Sequence, residues 1–125
     1  MAGDCSGAFA ALKPILQQYA SRATVKANTP SIYTLDTKSP SPFPQHKGQP
    51  LFLASVRLGK AYVSFHLMPL YMCPELAKAV TPGLKKRMQG KTCFNFKSIP
   101  DPNLLVELQQ LTAACVENWA NKKWL

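Results

Sequence analysis

The chain has 125 residues, of which 46% are hydrophobic, and a formal net charge of +9. This length is typical of one domain with its own hydrophobic core, here spanning residues 1–125. The longest apolar region is interrupted by Arg57, Gly59 and Lys60, which excludes a membrane span, and the N-terminus lacks the basic-then-apolar order of a secretory signal. We therefore expect a cytoplasmic protein.

The four cysteines stand far apart in the sequence, at Cys5, Cys73, Cys93 and Cys115. This spacing excludes a CxxC metal knuckle or redox pair, and we expect all four thiols to be reduced. His66, Cys73 and Cys93 would bind a metal only if the fold brought them together from separate elements. We expect neither a metal nor another cofactor.

The first third of the chain predicts a helix, two short strands and a loop. A near-helical apolar spacing indicates a helix over residues 6–22, although Pro14 either kinks it or moves its start to near Lys13. Residues 24–36 are typical of strand structure interrupted at Pro30. Four prolines then predict a proline-rich loop over residues 38–50, from which Phe43 can dock on the surface.

Residues 51–68 carry the strongest structural signal, that of a β-hairpin. Two runs with period-2 alternation flank Gly59-Lys60, and glycine at the first turn position suits a two-residue type II′ turn. This turn would pair Val56 with Val63 and Ala54 with Phe65. The predicted apolar face carries Phe52, Ala54, Val56, Leu58, Ala61, Val63, Phe65 and Leu67, and the reverse face carries Leu51, Leu53, Ser55, Arg57, Tyr62, Ser64 and His66.

The last third predicts short helices, a strand and a long helix. Cys73-Pro74 and Thr81-Pro82 open short helical segments, and residues 92–96 form a strand with Phe94 and Phe96 on one side. Asp101-Pro102 combines an N-cap acceptor with a proline at the first helical position, so a helix begins there and continues to about residue 120. Its apolar stripe consists of Leu104, Leu108, Leu111, Cys115 and Trp119.

These elements predict an α+β fold built as a two-layer sandwich. We expect an antiparallel sheet of about four or five strands, with the N- and C-terminal helices packed on its one apolar face.

The order of these segments resembles the YdhG-like family, a domain of unknown function, over residues 12–119. The resemblance rests on residues 28–33 (NTPSIY), 48–51 (GQPL), 62–69 (YVSFHLMP), 90–96 (GKTCFNF) and 99–102 (IPDP). It implies a small cytoplasmic protein with a frataxin-like sandwich, and an iron-chaperone role has been proposed for one member. Frataxin-type proteins use acidic surface residues for that role, whereas residues 6–22 contain no Asp or Glu.

A basic segment is the first candidate site. Residues 76–100 contain six basic residues and no acidic one. Lys85, Lys86, Arg87 and Lys91 could hold an anion with the help of Gly90 and exposed turn amides, or they could simply form a solvated helix face. The suitable partners are an anionic small molecule, an acidic protein or nucleic acid, and no nucleic-acid motif accompanies the charge.

The reverse face of the hairpin is the second candidate site. Arg57 and Tyr62 are predicted to lie opposite each other near Ser64 and His66, which could line a ligand groove. The alternatives are an ordinary solvent-facing sheet surface or a homodimer interface, since Leu51, Leu53 and Met68 leave this face partly apolar.

These observations favour a non-enzymatic binding module for an anionic ligand or partner. One alternative is an iron-handling chaperone of frataxin-like type. The other is an enzyme that uses Ser64 and His66, although the nearest carboxylate in the sequence is that of Glu75.

Overall fold

The computed structural model describes residues 5–90 and 92–125. Within them the fold is the predicted α+β sandwich, and the antiparallel sheet has six strands in the order β1-β2-β3-β4-β6-β5. The strands are β1 (Thr24–Thr29), β2 (Ile32–Pro40), β3 (Pro50–Leu58), β4 (Val63–Leu67), β5 (Met88–Gln89) and β6 (Cys93–Phe96). The α-helices are α1 (Cys5–Gln17), α2 (Pro69–Met72), α3 (Pro82–Lys85) and α4 (Pro102–Asn121), and 3₁₀ turns occupy Ala20–Arg22, Pro44–His46 and Pro74–Ala79.

The two terminal helices form the second layer. Helix α1 packs on β2, β3 and β4, and α4 packs against α1, α2 and α3. The predicted stripe of α4 is buried and joins the sheet residues in one hydrophobic core. As predicted, Asp101 caps this helix, because its Oδ1 accepts a hydrogen bond from the Leu104 N–H at 2.8 Å.

Helix α1 continues through Pro14 instead of starting near Lys13. Proline removes the hydrogen bond that would reach the carbonyl of Ala10, but Ala10 is exposed, so water can satisfy that carbonyl. Burial of Phe9 and other apolar residues then holds the first turns on the sheet. The helix ends at Gln17, earlier than predicted.

The proline-rich loop is shorter than the predicted span of residues 38–50. Strand β2 extends to Pro40, which pairs with Pro50 at the start of β3 and leaves residues 41–49 as the connection. The hydroxyl of Thr37 accepts a hydrogen bond from the Leu51 N–H at 2.9 Å and replaces a ladder bond there. Prolines are tolerated at this position because the regular ladder is already interrupted.

Strands β3 and β4 form the predicted hairpin with a longer turn. Residues 59–62 make a four-residue turn closed by the Gly59 N–H donating to the Tyr62 carbonyl at 3.0 Å. Val56 consequently pairs with Phe65, and each residue of β3 meets a partner two positions later than predicted. Because side chains alternate with period 2, this shift preserves the faces of the paired residues, and Val56, Val63 and Phe65 are fully buried. Ala61, predicted on the apolar face, is instead exposed in the turn.

A β-bulge in β3 corrects the predicted face of Leu51 and Leu53. Leu35 pairs with Ala54, but the next β2 residue pairs with Phe52, so Leu53 is an extra residue in the ladder. The bulge reverses the alternation, and Leu51 and Leu53 enter the core while Phe52 becomes half-exposed. These two leucines therefore do not contribute apolar surface to the reverse face.

The edge strand β1 contains a second irregularity. Its pairing with β2 shifts between Val25 and Ala27, which leaves Lys26 as the extra residue. The Lys26 ammonium lies 3.6 Å from a carboxylate oxygen of Asp36 on β2.

All four cysteines are free thiols. In residues 5–90 and 92–125, no helix combines the length and apolar character that crossing a bilayer requires.

Candidate functional site

The sheet face opposite α1 carries two rows of polar cross-strand partners. Each row crosses the sheet from β3 through β4 to β6, and the two rows are separated by two residues along each strand. We call this surface the polar sheet face, and its members are Arg57, Ser64 and Asn95 in the first row and Ser55, His66 and Cys93 in the second.

Hydrogen bonds organise the β6 side of the polar sheet face. The Ser64 hydroxyl donates to Asn95 Oδ1 at 3.3 Å, and the Cys93 thiol donates to the same oxygen at 3.4 Å. Arg57 is exposed at the β3 end of the first row, and no described carboxylate lies within 4.0 Å of its guanidinium. The arrangement places the Arg57 cation beside a row of neutral hydrogen-bonding groups.

Burial and the Arg57 charge determine how this face titrates. Burial lowers the pKa of His66, and the positive charge of Arg57 lowers it further. Burial raises the pKa of Cys93, although the nearby Ser64 hydroxyl moderates the effect. At neutral pH the imidazole is therefore uncharged, the thiol is protonated, and the charge of this part of the face comes from Arg57.

A hollow of about 300 Å³ lies at the turn end of this face. The predicted pairing of Arg57 with Tyr62 is wrong, because the longer turn places Ser64 opposite Arg57 and leaves Tyr62 in the turn. Arg57 and Tyr62 nevertheless line the same hollow. Its complete lining consists of Arg57, Gly59, Lys60, Ala61, Tyr62 and Ser64, which we call the turn hollow.

The described residues of the basic segment do not line the turn hollow. Lys86 and Arg87 line a separate cleft of about 390 Å³ together with the carboxylates of Asp101 and Glu107. These carboxylates reduce the attraction of the cleft for a negative ligand. The Arg87 guanidinium also lies 6.0 Å from the centre of the Phe96 ring.

The other two predicted members of the basic segment are Lys85 and Lys91. Lys85 ends α3 and is exposed outside the residues that line either hollow. Lys91 lies outside the described residues. Lys86 and Arg87 therefore line a different hollow from Arg57, although the Arg87 carbonyl accepts a hydrogen bond from the Asn95 N–H at 2.9 Å.

The three groups considered as metal ligands are not assembled into one cluster. His66 and Cys93 are direct cross-strand partners, but Cys73 is buried in the core and burial raises its pKa. Among residues 5–90 and 92–125, no group of three or more His, Cys, Asp or Glu side chains could hold a metal ion.

Sequence reasoning missed a cavity at the opposite end of the sheet. The loop of residues 41–49 and α2 flank an apolar cavity of about 610 Å³ that is open to solvent. The one local signal was Phe43, a large apolar residue within a proline-rich segment. Its ring packs edge-on against Trp124 with centroids 5.4 Å apart, a contact between residues 81 positions apart that no local pattern reveals.

The sequence and the fold were compared with known protein families, curated proteins and solved structures. No family model, curated protein or solved structure matches this chain.

Proposed function

We propose that this chain is a non-enzymatic binding protein that holds an anionic small molecule or an acidic partner on the polar sheet face and the turn hollow. The observation that carries the proposal is Arg57, an exposed cation without a carboxylate partner among the described residues, in a hollow that also contains Lys60. A guanidinium binds carboxylate and phosphate groups through two parallel hydrogen bonds.

The surrounding groups support binding of an anion. The turn hollow has hydroxyl groups from Tyr62 and Ser64 and no carboxylate in its lining. Asp36 is the nearest acidic residue along the neighbouring strand, and Lys26 lies 3.6 Å from its carboxylate. The local charge is therefore positive, which favours anions over cations.

The hydrogen bonds of the polar sheet face favour binding over nucleophilic catalysis. The Ser64 hydroxyl donates to Asn95 and not to His66, and the Cys93 thiol donates to the same amide. Activation of a nucleophile requires a base within hydrogen-bond distance of its proton. We also propose that the chain is a YdhG-like, cytoplasmic protein, on the basis of the sequence features described above.

A titration with tripolyphosphate at low ionic strength tests the proposal. Arg57→Gln should weaken binding roughly tenfold, the usual scale for loss of one charge-assisted hydrogen-bonding group. Lys78→Gln is the matched control, because it removes one exposed positive charge outside both hollows. Equal weakening by the two substitutions, or no heat of binding to the unmodified protein, would contradict the proposal.

The iron-chaperone and enzyme alternatives stay predictions with their own tests. A ferrous iron titration followed by calorimetry and absorbance addresses the first. For the second, a screen for hydrolase activity would compare the unmodified protein with His66→Ala, and activity lost in the variant would support an enzyme.

A further inference from the structure

The apolar cavity has dimensions suited to a small molecule. It measures about 610 Å³, within the range of roughly 300–1,000 Å³ typical of ligand pockets. Residues of the 41–49 loop form one wall, the start of β3 forms the floor, and α2 forms the other wall. Its lining consists of Phe43, Gln45, His46, Gln49, Pro50, Leu51, Phe52, Met68, Tyr71 and Met72.

The loop wall is held in place by several independent contacts. Phe43 packs edge-on against Trp124 at 5.4 Å and against His46 at 5.6 Å between ring centroids. Ser41 accepts a hydrogen bond from the Phe43 N–H at 3.1 Å and donates its own N–H to the Gln49 carbonyl at 2.8 Å. The cavity is therefore preformed and does not need the loop to order around a ligand.

The bulge in β3 and helix α2 complete the cavity. Because Leu53 is the extra residue of the bulge, Phe52 leaves the core and becomes part of the floor. The Met68 N–H donates to the Leu53 carbonyl at 3.0 Å, which fixes α2 beside the bulge. Met68 and Met72 supply flexible, polarisable walls that adapt to an apolar ligand.

The polar groups of the cavity determine the class of ligand. His46 Nδ1 lies 2.6 Å from the Ser41 hydroxyl, so Nε2 is the ring nitrogen left for a ligand. The lining also includes the amides of Gln45 and Gln49 but no carboxylate.

We propose that this cavity binds a small aromatic carboxylate. The ring occupies the space between Phe43, Phe52 and Tyr71, where edge-on and offset aromatic contacts are available. The carboxylate lies at the rim and accepts hydrogen bonds from His46 and the glutamine amides, and the lining contains no carboxylate that would repel it. This site lies away from the turn hollow and depends on none of its residues.

The test uses two probes that share one ring system and differ in charge. Calorimetric titration with 2-naphthoate should show saturable binding, and neutral 2-naphthalenemethanol should bind at least tenfold more weakly. Absence of saturable 2-naphthoate binding would overturn the proposal, and equal binding of the two probes would overturn the assignment of a carboxylate ligand.

Substitutions locate the site. Tyr71→Glu places a negative charge in the cavity wall at a residue that is 62% exposed, and it should weaken 2-naphthoate binding at least tenfold. Ile99→Glu introduces the same charge at a residue that is 50% exposed and lies outside the cavity, and it should leave binding within twofold. Equal effects of the two substitutions would overturn the proposal.

Methionine methyl resonances provide a measurement that needs no variant. Binding of 2-naphthoate should shift the methyl signals of Met68 and Met72 and leave that of Met88 on β5 unchanged. A shift confined to Met88 would place the ligand elsewhere and overturn the proposal. Tripolyphosphate, the probe of the proposed anion site, should leave the Met68 and Met72 signals unchanged, because these residues lie outside the turn hollow. A shift of both signals on addition of tripolyphosphate would overturn the assignment of two separate sites.

Discussion

The four-residue turn of the β3–β4 hairpin makes Gly59→Ala a demanding test of the structure. A Cβ atom at Gly59 would lie 2.8 Å from the backbone oxygen of Tyr62, closer than carbon and oxygen atoms approach without a shift. That oxygen also accepts the Gly59 N–H at 3.0 Å, so the movement that relieves the contact weakens the bond that closes the turn.

The expected cost of Gly59→Ala follows from these two effects. Overpacking costs about 1–3 kcal/mol, and a weakened hydrogen bond adds up to about 1 kcal/mol. Reduced entropy of the unfolded chain offsets about 0.4–1 kcal/mol of this. We therefore expect a net loss of about 1–3 kcal/mol in the free energy of unfolding.

Urea denaturation followed by tryptophan fluorescence measures this loss. At an unchanged slope of the transition, the midpoint should fall by about 1 M for a loss near 2 kcal/mol. Lys60→Ala is the control, because it alters an exposed residue of the same turn and should change stability by less than about 0.5 kcal/mol. A Gly59→Ala protein as stable as the unmodified one would refute the four-residue turn and the register derived from it.

Three further predictions concern the helix cap, the polar sheet face and the thiols. Asp101→Ala should lower the free energy of unfolding by about 1 kcal/mol in urea denaturation, because the Leu104 N–H loses its acceptor, and Asp101→Asn should retain most of that stability. Because the pKa of His66 is lowered in the folded state, the unfolded chain binds the proton more readily, so stability should fall as pH decreases below about 6.5 and His66→Gln should flatten this dependence in pH-dependent thermal unfolding. Among the described cysteines, a thiol reagent should label half-exposed Cys93 first. Cys115 should react only after unfolding, because burial raises its pKa to about 12. Mass mapping of the labelled peptides measures the order, and labelling of Cys115 first would contradict this prediction.

Local patterns were sufficient to predict most elements and their buried faces. The Asp101-Pro102 start of α4 and the period-2 pattern around Val56 and Phe65 are signals carried by neighbouring residues, and both are confirmed. The register of the hairpin could not be predicted in the same way. A shift of two residues preserves every face, so the apolar pattern alone cannot distinguish a two-residue turn from a four-residue turn.

The candidate sites were harder to predict because they depend on long-range contacts. The face of Phe52 depends on a bulge that becomes visible only when β3 is paired with β2. The apolar cavity depends on the docking of Phe43 against Trp124, near the far end of the chain. The sequence identified Arg57 and Tyr62 as neighbours in space for the wrong reason, since they share a hollow without facing each other across the strands.

The outer strands of the sheet have a consequence for how copies of this chain meet. A long, straight outer strand is a template on which another molecule can add a strand and begin aggregation. Here the bulge at Lys26 distorts one margin and places a cation there, while the opposite margin is the two-residue strand Met88–Gln89. Both outer strands thus disfavour the addition of a further strand by backbone pairing.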